Sequence, residues 1–345
     1  MQSIFNIINI PLGYVLKFFS ELFGGNFAAS VFAFTLLINL VLIPLTIKSQ
    51  KSSVSQMRIK PKLDELKKRY GDDRQKMAQA QQQLYKDEGV SMSGGCLPMI
   101  VRMVLLLSIY WLIMSPLTYM AGADKDRVGN VTTAINSALT DLKKNDEKAY
   151  KEFEENGKVK WKLGASNSYE LSLIRIIRDD PDFVKETLSD KEYSKIEKDY
   201  EYTIKTYKEA NIKFDLFGID LTKTPSFSFD IFNNWESIWL LPIIAFLAQM
   251  LTSVVSMRIN KRVNPDAPQM AGMLLFMPVL SLIIGFQFPG GVCFYWICSS
   301  IVGGAIQSAV QIFYGPHKLL ARQRAKELSK VCDFESGQLK KFETE

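Results

Sequence analysis

The sequence has a single histidine, His317, in 345 residues, and only four cysteines. One imidazole excludes a histidine-based catalytic triad and a multi-histidine metal site within this chain. The cysteines stand at positions 96, 293, 298 and 332, and this spacing matches no zinc site. We therefore expect no disulfide framework, no metal and no cofactor, and we expect the cysteines of the apolar segments to pack as small apolar side chains.

Charge is absent from four long stretches and nearly absent from a fifth, in which Arg102 is the only charged residue. A run of about 20 apolar residues is what a helix needs to cross the hydrocarbon core. Because backbone groups in lipid must satisfy their own hydrogen bonds, these runs predict helices and an all-α polytopic membrane protein. The five predicted transmembrane helices cover residues 26–47, 94–121, 235–257, 267–288 and 289–314.

The N-terminal segment 1–25 lacks the basic start of an ordinary signal peptide, since its first basic residue is Lys17. Phe18 and Leu22 share a helical face, while Lys17 and Glu21 lie on another. This pattern predicts an amphipathic interfacial helix on the membrane surface. An irregular lead-in is the alternative.

The distribution of charge predicts the orientation of the spans. Segment 48–93 has 11 Lys+Arg against 6 Asp+Glu, the link 258–266 has 3 against 1, and the tail 315–345 has 7 against 5. Segment 122–234 has 19 against 22. The positive-inside rule therefore places the three basic segments in the cytoplasm, with the N-terminus and 122–234 outside.

The cytoplasmic segment 48–93 is predicted to be a helical hairpin. The letters "YGDD" interrupt it, and Asp72 or Asp73 is a candidate cap for the second helix. Pro61 is expected to kink or restart the first helix. The segment is interpreted either as a solvated connector or as a docking surface for incoming chains and lipid head groups.

The outer segment 122–234 is predicted to be a helical module. One apolar stripe runs from Tyr193 to Tyr207, another from Ala134 to Leu142, and a third helix is expected to stop at Pro181. No nucleophile motif, phosphate loop or cluster of metal ligands occurs in it. An enzyme domain is therefore not expected.

Several motifs along the chain resemble the YidC/Oxa/Alb insertase family. The most specific is "LYKDEGV" followed by "GGCLPM", between the cytoplasmic hairpin and the second span. The stretches "FDLFGIDLTKTP", "LLPIIAFLAQMLTS" and "MPVLSLIIGFQFPGGVCFYWICSSIVGGAIQ" are similar to the approach to the third span, the third span, and the paired fourth and fifth spans. Residues 123–213 are not part of the recognised pattern and are expected to be an insertion.

The resemblance implies a bacterial YidC-type protein without an extra N-terminal span, located in the cell membrane. Such proteins insert transmembrane segments of newly made proteins, alone or beside the Sec translocon, through a polar groove enclosed by five helices. The implied partners are nascent membrane proteins, the Sec translocon and membrane lipids, and the mechanism is binding without bond chemistry. No DNA partner is expected.

The sequence departs from the family at two groove positions. The family's first-span arginine is replaced by Asn39, and a second-span site that is usually glutamine is Arg102. Counted at 1.5 Å per residue, Arg102 lies roughly 9 Å and Asn39 roughly 12 Å from the cytoplasmic ends of their spans. We hypothesise that Arg102 replaces the missing arginine and that Asn39 hydrogen-bonds in the same groove. The alternative is an arginine that snorkels to cytoplasmic water.

Other polar residues of the spans are candidates for the substrate groove, although each could equally serve as an interfacial anchor or in helix packing. These candidates are Tyr110, Gln249, Gln287, Tyr295, Ser299 and Gln307. The glycines at 290, 291, 303 and 304 are interpreted as turn or close-packing positions.

Two other function classes remain open from the sequence. A small transporter or channel would need internal repeats and paired intramembrane charges, whereas the apolar runs of the five predicted spans contain one charge, Arg102. A receptor or enzyme domain on a membrane anchor would not need five spans. The tail 315–345 is basic at its start, which indicates contact either with ribosomal RNA or with the membrane surface.

Overall fold

The computed structural model describes residues 2–71, 73–90, 96–145, 169–225, 235–263 and 271–315, and single positions or pairs in the tail from 318 to 336. The chain is predominantly α-helical, as predicted. In order, the α-helices are α1 Gln2–Leu22, α2 Phe27–Val41, α3 Ile43–Tyr70, α4 Arg74–Asp87, α5 Cys96–Met114, α6 Lys125–Asn145, α7 Tyr169–Asp179, α8 Phe183–Thr187, α9 Asp190–Ala210, α10 Leu240–Val263, α11 Ala271–Gly285 and α12 Gly290–Phe313.

The chain divides into two compact units that cut across several of these helices. The first unit comprises Met1–Ile38, Val104–Gln249 and Phe276–Ser300. The second comprises Asn39–Met103, Met250–Leu275 and Ile301–Glu345.

Within the described residues, two helices are long and apolar enough to cross a membrane, Ser237–Ile259 and Gly290–Phe313. A third candidate is the pair α2 and α3, in which Phe27–Val41 and Ile43–Ser52 meet at a bend of 46°. The apolar helix Ile100–Met114 is shorter than a span requires, and α11 has 15 residues. The described residues thus give two or three candidate spans, and the five spans that the sequence indicates stay a prediction.

Proline explains why the first apolar helix bends. Pro44 stands in the first turn of α3 and has no N–H to offer the carbonyl of Leu40. A proline is tolerated at a helix start but breaks a continuing helix. Thr46 N and Thr46 Oγ1 both donate to Leu42 O, at 2.9 and 3.0 Å, and so restart the hydrogen bonding directly after the bend.

The two helices that the sequence predicts for segment 48–93 are α3 and α4. Asp73 is the cap of α4, since its Oδ1 accepts from Gln75 N and Lys76 N at 3.1 Å each. Asp72 lies outside the described residues. The helix does not restart at Pro61, because α3 continues through it to Tyr70, and a kink at this proline stays a prediction. At this exposed position, water can satisfy the carbonyl that the proline leaves free.

The described part of segment 122–234 is a helical module in the first unit, built from α6, α7, α8 and α9. Val131, Ile135, Leu173 and Ile174 are fully buried in its core, and Tyr200 donates to Pro181 O at 2.8 Å. The predicted stripes supply this core, although the side chains of Leu139 and Leu142 are not described. α7 ends at Asp179, close to the predicted stop.

One short strand pair lies among the helices of the described residues, and the chain stays mostly helical, as predicted. Asp215–Leu216 pairs antiparallel with Ile219–Asp220 around Phe217 and Gly218, which both have positive φ. Such a turn matches the twist of a hairpin.

The lead-in is helical and not irregular, because α1 is continuous from Gln2 to Leu22, and its position at the membrane surface stays a prediction. It packs on a π-helical turn, Leu117–Ala121, which follows α5. A Cβ at Gly13 would be 2.6 Å from the ring of Tyr119, so glycine allows the close approach.

Candidate functional site

Arg102 belongs to the second unit and is held by a hydroxyl of the first predicted span. Its Nη2 donates to Thr46 Oγ1 at 2.8 Å. Thr46 is 3% exposed, whereas Arg102 is exposed. The hydrogen bond therefore fixes one edge of the guanidinium and leaves its remaining donors directed away from the buried threonine.

Asn39, also in the second unit, faces the last long helix. Its Oδ1 would be 3.2 Å from a Cβ placed on Gly303. Gln307 is half-buried one turn further along the same helix. The side-chain hydrogen bond described for Arg102 is made to Thr46. That Asn39 shares a groove with Arg102 stays a prediction.

Gly304, next to Gly303 on α12, allows a close contact between helices, which a substitution can test. A Cβ on Gly304 would lie 2.4 Å from Thr252 Cγ2 and 2.9 Å from Thr252 Cβ. We expect Gly304→Ala to lower stability by about 1–3 kcal/mol, the usual cost of overpacking. Gly303→Ala is the matched control with a smaller effect, since a few tenths of an ångström relieve its contact. Thermal unfolding in detergent measures both, and equal midpoints for the two variants would contradict the packing argument.

A second group of predicted residues lines a cavity of about 420 Å³ in the first unit. Gln249, Tyr295 and Ser299 contribute polar atoms to it, together with Ser281 and Ser300. Leu106, Leu280, Ile284 and Trp296 form its apolar wall. Tyr295 is 5% exposed and hydrogen-bonds with Ser299, one turn along α12. The cavity can hold an apolar side chain or short segment while offering a few hydrogen bonds to it.

Two other candidate groove residues of the first unit do not line this cavity. Tyr110 packs against the ring of Phe288, with centroids 5.4 Å apart. Gln287 is exposed in the turn between α11 and α12. Their geometry favours a packing role for Tyr110 and a turn position for Gln287.

Sequence reasoning missed Thr46, Ser281 and Ser300. Thr46 carries a usable signal, because it follows Asn39 by seven residues and stands beside the helix-breaking Pro44. Ser281 and Ser300 carry none, since isolated serines in apolar helices are common packing residues.

The helical module of α6 to α9 attaches to the end of the second predicted span through Glu170 of α7. Thr118 donates to it twice, from N to Oε2 at 3.0 Å and from Oγ1 to Oε1 at 2.6 Å. Burial of the carboxyl raises the pKa of Glu170 to about 7, although the two Thr118 bonds and nearby Lys125 favour its charged form. This residue lies outside every site predicted from the sequence.

The cysteines at 293 and 298 are buried, as expected for apolar packing, and Cys332 is exposed in the tail. Within the described residues, no three His, Cys, Asp or Glu side chains cluster as metal ligands. His317 and the side chain of Cys96 lie outside the description.

Comparison with known families gives a match over most of the chain. The model of the family described as "60Kd inner membrane protein" matches residues 18–177 and 191–315. These ranges include most of 123–213, which we expected to lie outside the family pattern.

Individual relatives match over a shorter stretch. Proteins described as "Membrane protein insertase YidC" from Shewanella sp. (strain ANA-3) and Shewanella loihica are each 42% identical over 106 residues, and one from Shewanella baltica (strain OS155) is 43% identical. Each match covers 30% of this chain and 19% of the relative, so the matched segment spans about a fifth of these proteins.

Proposed function

Because the chain belongs to the 60Kd inner membrane protein family, we propose that it is a membrane protein insertase. In this proposal it moves transmembrane segments of newly made proteins into the bilayer and assists their folding, by binding and without bond chemistry. The names of the relatives support the proposal, as does the abundance of apolar helices in the chain.

The proposed topology has five spans that enclose a polar groove, with the N-terminus outside and the C-terminus in the cytoplasm. The positive charge of 48–93, 258–266 and 315–345 supports this orientation. Insertion takes place alone or beside the Sec translocon. The basic start of the tail is proposed to contact the ribosome, although most of the tail lies outside the described residues.

The observation that carries the proposal is Arg102, the only charge of its apolar segment, held by Thr46 and otherwise exposed. An arginine facing lipid costs about 3 kcal/mol or more on insertion scales, so charges within membrane helices are usually functional. Arg102 attracts acidic residues of the substrate segment that must cross the membrane. Because Thr46 restrains the side chain, less conformational entropy is lost when it binds.

The cavity that contains Gln249, Tyr295 and Ser299 has a separate role in this proposal. Its apolar lining residues can contact an apolar side chain of the substrate. Its polar lining residues can hydrogen-bond to the substrate backbone or to polar groups beside that side chain. None of the described residues that line it is charged. The apolar part of a substrate can therefore leave toward lipid without breaking an ion pair.

Site-specific crosslinking tests the proposal with Arg102 left intact. A photoreactive residue at Leu106, one helical turn from Arg102, is compared with one at Leu107, about 100° further around α5. Both side chains are partly exposed, at 46% and 38%. We expect a stalled nascent membrane protein to crosslink severalfold more at position 106. Equal labelling at the two positions would argue against a substrate path along this face.

A flux assay in liposomes separates insertion from transport. The purified chain should integrate an added membrane protein into the vesicles without releasing trapped ions or small solutes. Release of solutes with no integration would favour the transporter or channel.

A further inference from the structure

A polar cavity of about 450 Å³ lies in the first unit, where α1, the π-helical turn and α9 all end. Its volume falls within the range of about 300–1,000 Å³ that is typical of small-molecule sites, and exceeds what a bare ion needs. Backbone hydrogen bonds hold Gly25, which lines the cavity: Lys213 N donates to Gly25 O at 2.8 Å, and Phe27 N donates to Lys213 O at 3.0 Å. A Cβ on Gly25 would lie 2.2 Å from Asn211 O, so only glycine fits there.

The charged groups around this cavity are one ammonium and two carboxylates, from Lys17, Glu21 and Glu209. Lys17 Nζ lies beside the backbone of Gly122, 2.6 Å from where a Cβ would be, and 4.0 Å from Glu21 Oε1. Glu209 is 3.9 Å from the exposed Lys205. These separations exceed hydrogen-bond length, so the three groups keep donors and acceptors for a ligand.

The helix ends add to the negative charge. α1 and α9 each have 21 residues and both finish at the cavity, where a helix carries a partial negative charge. The two carboxylates, the two helix ends and the single ammonium together suit a ligand with a positively charged end, which the carboxylates bind, and a smaller negatively charged group, which Lys17 binds.

The same helix that supplies Lys17 and Glu21 presents an apolar stripe to its surroundings. The stripe residues repeat every three or four positions and are 54–74% exposed; they are Ile7, Ile10, Tyr14, Phe18 and Leu22. The opposite face, with Leu16 and Ser20, is buried. An exposed apolar stripe on a membrane protein's surface helix is typical of contact with lipid. Phe18 and Leu22 directly follow Lys17 and Glu21 in sequence, so lipid in contact with the stripe would lie close to the cavity.

We propose that this cavity binds the headgroup of a phospholipid that carries a primary ammonium, with the acyl chains along the apolar stripe of α1. Lys17 donates to the phosphate, and Glu21 and Glu209 accept hydrogen bonds from the ammonium. Phosphatidylethanolamine has both groups. Phosphatidylcholine has a trimethylated ammonium without N–H donors, and phosphatidylglycerol has no cation. The assignment does not depend on the proposed insertase activity.

Native mass spectrometry of the full chain in detergent tests the site, with each of the three lipids titrated separately. We expect phosphatidylethanolamine to bind at least about tenfold more tightly than the other two, as loss of charge-assisted hydrogen bonds implies. Glu21→Gln with Glu209→Gln should remove this preference. Lys17→Gln should weaken phosphatidylethanolamine and phosphatidylglycerol by similar factors.

The matched control is the double variant Glu197→Gln with Glu201→Gln. It makes the same charge change at exposed positions of α9 that do not line the cavity, and it should keep the preference for phosphatidylethanolamine. The side chains of Glu21 and Glu209 are each 67% exposed, so their replacement should not disturb folding, and circular dichroism checks this. Equal affinities for the three lipids, or a preference that survives the Glu21 and Glu209 changes, would overturn the proposal. Competition by free phosphoethanolamine at the lipid's own concentration would overturn the lipid assignment in favour of a soluble amine.

Discussion

Replacing Arg102 with alanine is expected to lower the rate of membrane protein insertion by at least about tenfold, which corresponds to about 1.4 kcal/mol. The guanidinium is the only charge in its apolar segment, and its removal takes away the attraction for acidic substrate residues. Complementation of an insertase-depleted cell, followed by the insertion rate of several substrates, measures the effect. Substrates with acidic translocated segments should lose the most.

Two variants separate charge from packing. Met103→Ala changes the adjacent exposed side chain of α5, 56% exposed, and should leave insertion nearly unchanged. Thr46→Val removes the hydroxyl that receives Arg102 Nη2 but keeps the charge, so we expect a smaller loss than for Arg102→Ala. Full activity of Arg102→Ala at normal protein levels would refute the proposed role and favour simple snorkelling.

Moving the charge back tests whether the two groove positions are equivalent. The double change Asn39→Arg with Arg102→Gln restores the pattern that the resemblance implies for the family, and we expect it to keep activity. The approach of Asn39 to α12 is the structural constraint, because its Oδ1 would lie 3.2 Å from a Cβ on Gly303. Complete inactivity of a well-expressed double variant would mean that the sites are not interchangeable.

The stability of the protein is expected to fall as the pH rises from about 5 to about 7, through the titration of Glu170. Its pKa is raised from 4.5 when unfolded to about 7 in the fold, so the folded state favours the protonated carboxyl. The resulting stabilisation is fully present below pH 4.5 and is lost as the pH passes through 7. A shift of this size corresponds to at most about 3 kcal/mol, because Glu170 keeps some solvent contact.

The measurement is the thermal unfolding midpoint in detergent between pH 5 and 8. Glu170→Gln should flatten the profile over this window and should exceed the wild-type midpoint at pH 8, since glutamine keeps an acceptor for Thr118 N without a charge. Glu197→Gln, on an exposed face of α9, should retain the wild-type slope. Two other groups near Glu170, Lys125 and Tyr119, remain unchanged in every variant. A slope that persists in Glu170→Gln would assign the pH dependence elsewhere.

Several features of the protein could be predicted from residues that are close together in the sequence. Uncharged runs predict apolar helices, because a helix satisfies its own backbone in lipid. The cap at Asp73 and the helix end before Pro181 follow from groups within one turn of the boundary. The core stripe of α9 follows from the 3.6-residue period. The position of Arg102 in an apolar segment is also visible without any fold.

The tertiary structure decided which distant residues meet. Thr46 is 56 residues from Arg102, and Glu170 is 52 residues from Thr118. It also placed Gln249, Tyr295 and Ser299 on one cavity while leaving Tyr110 and Gln287 outside its lining. Sequence periodicity assigns a residue to a helix face but not to the partner of that face. That choice depends on how whole helices pack, as the glycine contacts of α12 and the bend at Pro44 illustrate.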